Sequence, residues 1–424
     1  MNFRISPKVQ RLFSTKLWYV PMLATAMGLM FVRLAVLAGM LPVKDFAAYS
    51  AGLLVSSSFC MLACFGLQSL LQRDLPLFIF RKRERAGEVL LMQCTIAALL
   101  AAIVGLILMN IVGAELVGLT TIGLSAAIFH GLSQQLFTVA TIDSRSRNKP
   151  VHFALQNLQR AIPITVVGPI VIIIGGDPLA ILVAEASLTL IVTSWIFSEK
   201  FKHSVLSMFI AASVGWRRVR YVNWYSALTL LAVSSLGFMT INVDRWVAAR
   251  WLSPDEFGQY AFAWTLLSVA QAIQSIINAS TYQALSQEYA LLGRQQCFSR
   301  AVKYSIFTIC LIISAFLIFY PLVIFFIENI FEKYKNTINI IPIFIGIFIL
   351  RVSDFFSSYF IISGQEKKLL YILFITTTFS SLTWASYFGF GVSRFSLISI
   401  STLALMISMS NYAVIALVSW WSTK

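Results

Sequence analysis

Acidic side chains are scarce in this chain: 17 Asp and Glu stand against 32 Lys and Arg in 424 residues, and charge of both signs makes up only 12%. Beside 58% hydrophobic content, that leaves more apolar surface than one water-soluble core of this size buries, so the bilayer is the expected solvent. The five cysteines, Cys60, Cys64, Cys94, Cys297 and Cys310, have no paired spacing and no neighbouring histidines. They support neither a disulfide framework nor a zinc site. The chain also lacks a glycine-rich phosphate loop, a zinc-protease motif and a Gly-x-Ser-x-Gly elbow, which argues against ATP-driven pumping by this chain, against hydrolysis and against a bound cofactor. The basic N-terminal stretch Met1 to Lys16 precedes an apolar run too long for a signal peptide and without a small-residue cleavage pattern, so it reads as the lead-in to a retained helix.

A net charge of +15 raises the question of nucleic acid, and the position of the charges answers it. They gather in short loops between apolar stretches, which is a topology signal and not a nucleic-acid footprint. Crossing roughly 30 Å of hydrocarbon takes roughly 20 apolar residues. Twelve stretches qualify: 17–39, 46–71, 89–112, 116–140, 151–174, 178–197, 221–243, 257–282, 302–327, 338–362, 369–390 and 395–421. With these bounds, 22 Lys and Arg fall at the termini and in the even-numbered loops, 6 in the odd-numbered loops and 4 inside spans. Positive charge collects on the cytoplasmic side, so both termini are expected in the cytoplasm of an inner-membrane protein with an even number of spans. The longest loop, 198–220, carries Phe201, Val205, Leu206, Phe209 and Ile210 and then Trp216, Arg217, Arg218 and Arg220. That reads either as an amphipathic helix on an anionic membrane surface or as an ordinary basic linker.

The sequence partly repeats itself after 211 residues. The shift superposes Val36 on Val247, Ala38 on Ala249, Leu41 on Leu252, Phe46 on Phe257, Tyr49 on Tyr260, Ser57 on Ser268, Ser69 on Ser280 and Gln72 on Gln283. The clearest match sets Met40-Leu-Pro-Val-Lys-Asp-Phe-Ala-Ala-Tyr49 against Trp251-Leu-Ser-Pro-Asp-Glu-Phe-Gly-Gln-Tyr260. Two six-span halves of equal topology give parallel repeats around an axis along the membrane normal, with a cavity between them that can open to either side. The expected fold is therefore all-α integral membrane: 12 transmembrane helices in two six-helix lobes around a central cavity. The lobes are 1–198 and 221–424, joined by the linker 199–220.

These two turns, with Gly66-Leu-Gln-Ser-Leu-Leu-Gln-Arg-Asp74, resemble the multidrug/oligosaccharidyl-lipid/polysaccharide exporter superfamily (MATE-like), and within it the polysaccharide and O-antigen flippases (Wzx type). The first turn departs from the pattern, with Ala47 where the second has Gly258. The resemblance implies export of a polyprenyl-pyrophosphate-linked oligosaccharide from the cytoplasmic to the periplasmic leaflet by alternating access. The expected partners are that glycan lipid, membrane lipids and polymerase or chain-length machinery, with the chain acting as a monomer. A drug or metabolite antiporter of the same superfamily is the alternative. A membrane glycan polymerase or ligase would call for a large periplasmic loop, and none is present.

Charge inside a bilayer costs about 2.5 kcal/mol or more per residue, so it faces protein or a wet cavity. The candidate cations within spans or at a span end are Arg33, Arg160, Arg245, at the end of the seventh, and Arg351. Gln156 and Asn157 share a helix face with Arg160, and Ser133 and Gln134 share one with His130. Gln271, Gln274, Ser275, Asn278 and Tyr282 recur at three- and four-residue steps in the eighth span. Arginine forks suit a pyrophosphate, while amides, hydroxyls and tyrosine rings suit sugars, so these residues are the candidate substrate site. Arg33 and Arg245 have the rival reading of side chains reaching for the interface, and Arg351 and Asp354 that of neutralising each other. Glu185, Asp244 and Asp354 are the candidates for ion coupling. For Glu185, a pair with an arginine of another helix is the competing role.

Overall fold

A computed structural model describes residues 18–112, 117–147, 149–201, 205–351, 354–389 and 396–422. All its regular elements are helices: α1 Tyr19–Met40, α2 Val43–Leu62, α3 Leu67–Phe80, α4 Glu84–Val112, α5 Thr121–Ser146, α6 Pro150–Ile173, α7 Pro178–Lys200, α8 Val205–Arg217, α9 Trp224–Trp251, α10 Pro254–Leu292, α11 Arg294–Asn329, α12 Ile341–Leu350, α13 Asp354–Ile362, α14 Glu366–Gly389 and α15 Leu397–Trp421, with short 3-10 turns at Val219–Tyr221 and Glu332–Asn339. Among the described residues nine helical stretches are long and apolar enough to cross a bilayer, which makes this a multi-pass membrane protein. Three expected spans fall on α5, α6 and α10, which are long enough at 26, 24 and 39 residues and are not among the nine. They are the helices that carry His130, Arg160 and Gln274.

Local chemistry sets the ends. Ser253 and Glu256 close a capping box at the start of α10 with Pro254 in the first turn, and Asp177 caps α7 ahead of Pro178. The second expected span is two helices, α2 and α3. Phe65 and Gly66 take left-handed backbone between them, at φ 49° and 81°, and a Cβ on Gly66 would lie 1.9 Å from the Ala227 carbonyl oxygen. Only glycine allows that approach. The tenth expected span is described as α12 and α13, with residues 352–353 between them outside the described residues.

Two compact units emerge: one comprises the chain to Met40 and Ala48–Ser234, the other Leu41–Ala47 and Ser235–Lys424. In the first, the linker helix α8 lies on α4, where Gln93 Nε2 donates to the Gly215 carbonyl at 3.0 Å. At the ends of α4, α5 and α7, Asp143 accepts from Lys200 at 2.8 Å and from Arg147 at 3.0 Å, and Arg147 also reaches Glu84 at 2.9 Å. In the second unit Tyr334 is buried, stacked on Phe262 at 4.2 Å and meeting Phe46 edge-on at 5.9 Å. Gly258 packs against Val43, whose carbonyl oxygen would be 2.7 Å from an added Cβ. The first turn carries Ala47 at the equivalent position, and it is buried as well.

Burial pushes the Asp143 carboxyl up, but Lys200 and Arg147 outweigh it and hold the group below the ordinary carboxylate range. A depressed folded pKa contributes stability above the unfolded value of about 3.9 and loses it as pH falls through the folded one. Thermal unfolding of the purified protein should therefore show a melting temperature that drops as pH is lowered from about 5 toward 3. Asp143→Asn should lower it already at pH 7 and weaken that acid dependence; an unchanged acid limb in the variant would remove Asp143 from the account.

Candidate functional site

In the first unit the polar interior is built around Glu185. This α7 carboxylate is fully buried and receives Arg33 Nη1 of α1 at 3.1 Å, while Tyr49 of α2 donates its hydroxyl proton across both oxygens at 3.0 and 3.1 Å. His130 of α5 stands 3.5 Å away through Nε2, its Nδ1 joined to Ser56 Oγ at 2.7 Å. Four helices thus meet on one carboxylate. A lone buried carboxylate or guanidinium is very costly, and burying both is tolerable only with such geometry and extra hydrogen bonds.

Arg33 is therefore spent on Glu185, with 4% of its surface exposed; it does not reach for the interface. Glu185 does pair with an arginine of another helix, one of the two arrangements its sequence position offers. His130 is a hydrogen-bonded link between helices.

Arg160 on α6 is held differently. Its Nη2 donates to Gln134 Oε1 in a short hydrogen bond, its guanidinium lies 4.7 Å over the Phe137 ring, and its Nε has no partner. No carboxylate is within ion-pair reach of it among the described residues. Gln134 in turn faces His130 at 3.4 Å. One turn away, Gln156 is buried against His152 at 3.1 Å with its other amide atom unpartnered, while Asn157 is turned back onto the Phe153 carbonyl at 2.8 Å.

The second unit repeats the motif with the charge inverted. Asp244 stands 211 positions after Arg33, and Tyr260 stands 211 after Tyr49. Tyr260 donates to Asp244 Oδ2 at 2.6 Å, so each half has a buried tyrosine on a buried carboxylate. Arg245 and Arg351 both lie over the ring of Trp264, with Cζ at 3.9 and 4.3 Å from its centroid. Gln274 donates to the Arg351 carbonyl at 2.9 Å, and Arg351 Nη2 donates to that of Ile241 at 3.0 Å. No ion pair joins Arg351 to Asp354 among the described residues. Gln271 is half-buried with Nε2 unpartnered; the side chains of Ser275, Asn278 and Tyr282 lie outside the described residues. Beside Asp244, a cavity of about 50 Å³ is also lined by Thr240, Ser408, Trp384 and Asn411, whose Oδ1 is unpartnered. That is room for a few waters or one hydrated small cation.

Tyr49, Tyr260, Trp264 and Asn411 are the members that reasoning from sequence missed. The tyrosines carried a signal, since they superpose in the internal repeat. Trp264 and Asn411 carried none beyond lying in apolar spans.

No family model and no curated protein matches the chain. Solved structures do match it in fold. A MATE in complex with MaL6 superposes with a TM-score of 0.60 at 14% identity, over 95% of this chain and 94% of that one. The inward-facing form of a multidrug resistance MATE family transporter of the MOP superfamily gives 0.61 at 15%, over 94% of both. A MOP superfamily transporter from Pyrococcus furiosus, whose reversed binding-pocket polarity suggests a different function, gives 0.56 at 15%, over 95% and 94%. The chain has the MATE transporter fold.

Removing one member of a buried pair leaves the other charge uncompensated, at about 3–5 kcal/mol. Glu185→Gln should accordingly lower the melting temperature strongly, and adding Arg33→Met to it should recover part of the loss. Thermal unfolding of the single and double variants in detergent measures both; a double variant no better than Glu185→Gln would show that Arg33 is not the charge that Glu185 serves.

Proposed function

We propose that this chain is a flippase that moves a polyprenyl-pyrophosphate-linked oligosaccharide, such as an O-antigen or related surface-polysaccharide repeat unit, from the cytoplasmic to the periplasmic leaflet by alternating access. The observation that carries the reading is the state of the intramembrane arginines. Arg160, Arg245 and Arg351 are held by ring faces, amides and carbonyls and make no ion pair among the described residues. Their forks keep donors for a pyrophosphate, whose charge-assisted bidentate contacts are stronger than neutral ones. Gln156, Gln271 and Gln274 supply amides of the kind that bind sugar hydroxyls. In this reading Arg33 is a structural counter-ion and contributes to substrate only through the local field.

Coupling fits the second unit better than the first. Asp244 has one hydroxyl donor and a small polar cavity beside it, whereas Glu185 is saturated by three side chains. Asp244 is thus the carboxylate we assign to a coupling proton or small cation. An antiporter of drugs or metabolites is the second reading, favoured by the fold shared with multidrug transporters. Such a protein that takes cationic cargo needs a net acidic cavity with aromatic faces, and the site residues here are net basic. We place the protein in the inner membrane with both termini in the cytoplasm, on the strength of the loop charges.

The test is complementation of a strain lacking its own oligosaccharide flippase, with membrane abundance matched by blot. The wild type should restore surface glycan; Arg160→Ala should reduce it by tenfold or more, as losing one charge-assisted contact of about 1.5–3 kcal/mol predicts, and Arg160→Lys should be intermediate. Failure of the wild type across several glycan backgrounds would overturn the flippase reading, and equal performance of all three would remove Arg160 from it.

A further inference from the structure

Outside the arginine and carboxylate clusters, the first unit holds a cavity of about 780 Å³ between α3, the start of α4, and the linker helix α8 with its following turn. It sits on the side where the basic loops gather: Arg81, Lys82 and Arg83 precede α4, and Arg217, Arg218 and Arg220 follow α8. Its inner wall is apolar, from Leu70, Phe78, Leu90 and Val214, and its rim is charged, from Arg85, Glu88 and Arg218. Asp74 also borders it but is already engaged by Arg73, through contacts of 2.7 and 3.2 Å. Arg85, Glu88 and Arg218 enter no ion pair among the described residues. The rim is thus one positive charge in excess, with two guanidinium forks, above an apolar floor. Exposed aromatics surround it: Phe80, Trp216, Tyr221 and Tyr225 mark an interfacial depth, where such rings accumulate.

We propose that this cavity binds one anionic glycerophospholipid of the leaflet on that side, with the phosphodiester on Arg85 and Arg218, the polar headgroup toward Glu88 and Asn223, and acyl chains along the apolar wall. Three features converge on this occupant. The volume lies within the 300–1,000 Å³ that encloses a lipid-sized ligand portion. A single phosphodiester cancels the excess rim charge, where a zwitterionic lipid would leave it uncompensated. Helix α8 supplies one wall, so a bound lipid ties the linker to α4 at the position where Gln93 and Gly215 already join them. This inference is independent of the flippase reading.

The experiment is native mass spectrometry of the full chain in detergent, titrated with phosphatidylglycerol or phosphatidylcholine of the same acyl chains. Wild type should retain one phosphatidylglycerol, with a preference over phosphatidylcholine on the order of tenfold, as two basic residues near a phosphate predict. Arg85→Ala with Arg218→Ala should abolish the preference, and Lys82→Ala with Arg83→Ala, outside the cavity, should keep it. Val214→Trp fills the apolar wall and should lose the bound lipid with both arginines intact, which decides the matter if the arginine variant does not fold. Equal retention of the two lipids, an equal loss in the Lys82/Arg83 variant, wild-type binding by Val214→Trp, or displacement of the lipid by millimolar glycerol phosphate would each overturn the proposal.

Discussion

The ion pair of Glu185 with Arg33 is the contact on which the polar interior of the first unit depends. Hydrocarbon offers a charge no solvent, so a carboxylate in mid-helix survives only where other helices bring donors to it. Glu185 collects them from α1, α2 and α5, and in doing so fixes how those helices pack around α7. Apolar packing alone specifies little between helices in a membrane, because lipid tails are as apolar as leucine. A single satisfied carboxylate therefore supplies registry that the surrounding Leu and Ile cannot.

The second half solves the same problem with a different distribution of charge. Its tyrosine is kept, but the acid occupies the position that holds the arginine in the first half, and the cations come from α9 and the end of α12. The repeat has preserved the donor and the burial and exchanged the sign. That asymmetry distinguishes the units: one has a saturated carboxylate, the other a carboxylate with a single hydroxyl donor beside a cavity and two arginines on one indole.

Much of the fold was legible because hydrophobic stretches of span length have few alternatives. Among the described residues each expected span overlaps a helix or a pair of helices, and nine of them are long and apolar enough to cross a bilayer. What escaped was the break within the second span. The signal at Gly66 exists only because Ala227 comes against it, and no periodicity encodes a contact from a distant helix. The site was legible as a set of polar residues and not as a set of partners. Sequence identified Arg33, Glu185 and His130 as costly; that they satisfy one another depends on which helix faces cross, which three greasy helices conceal. Conversely, Arg351 and Asp354, three residues apart, had a local pair as one reading, and no ion pair joins them among the described residues.

Placing Arg245 and Arg351 on the face of Trp264 has a kinetic consequence. A guanidinium locked to a carboxylate must break a strong contact before it can hold an anion, and must remake it to let the anion go. One resting on an indole gives up nothing of the kind, because ring-face attraction and in-plane hydrogen bonds use different directions of the same group. In the function proposed above, cargo would then arrive and leave across a low barrier, and these two arginines would suit transient capture rather than storage.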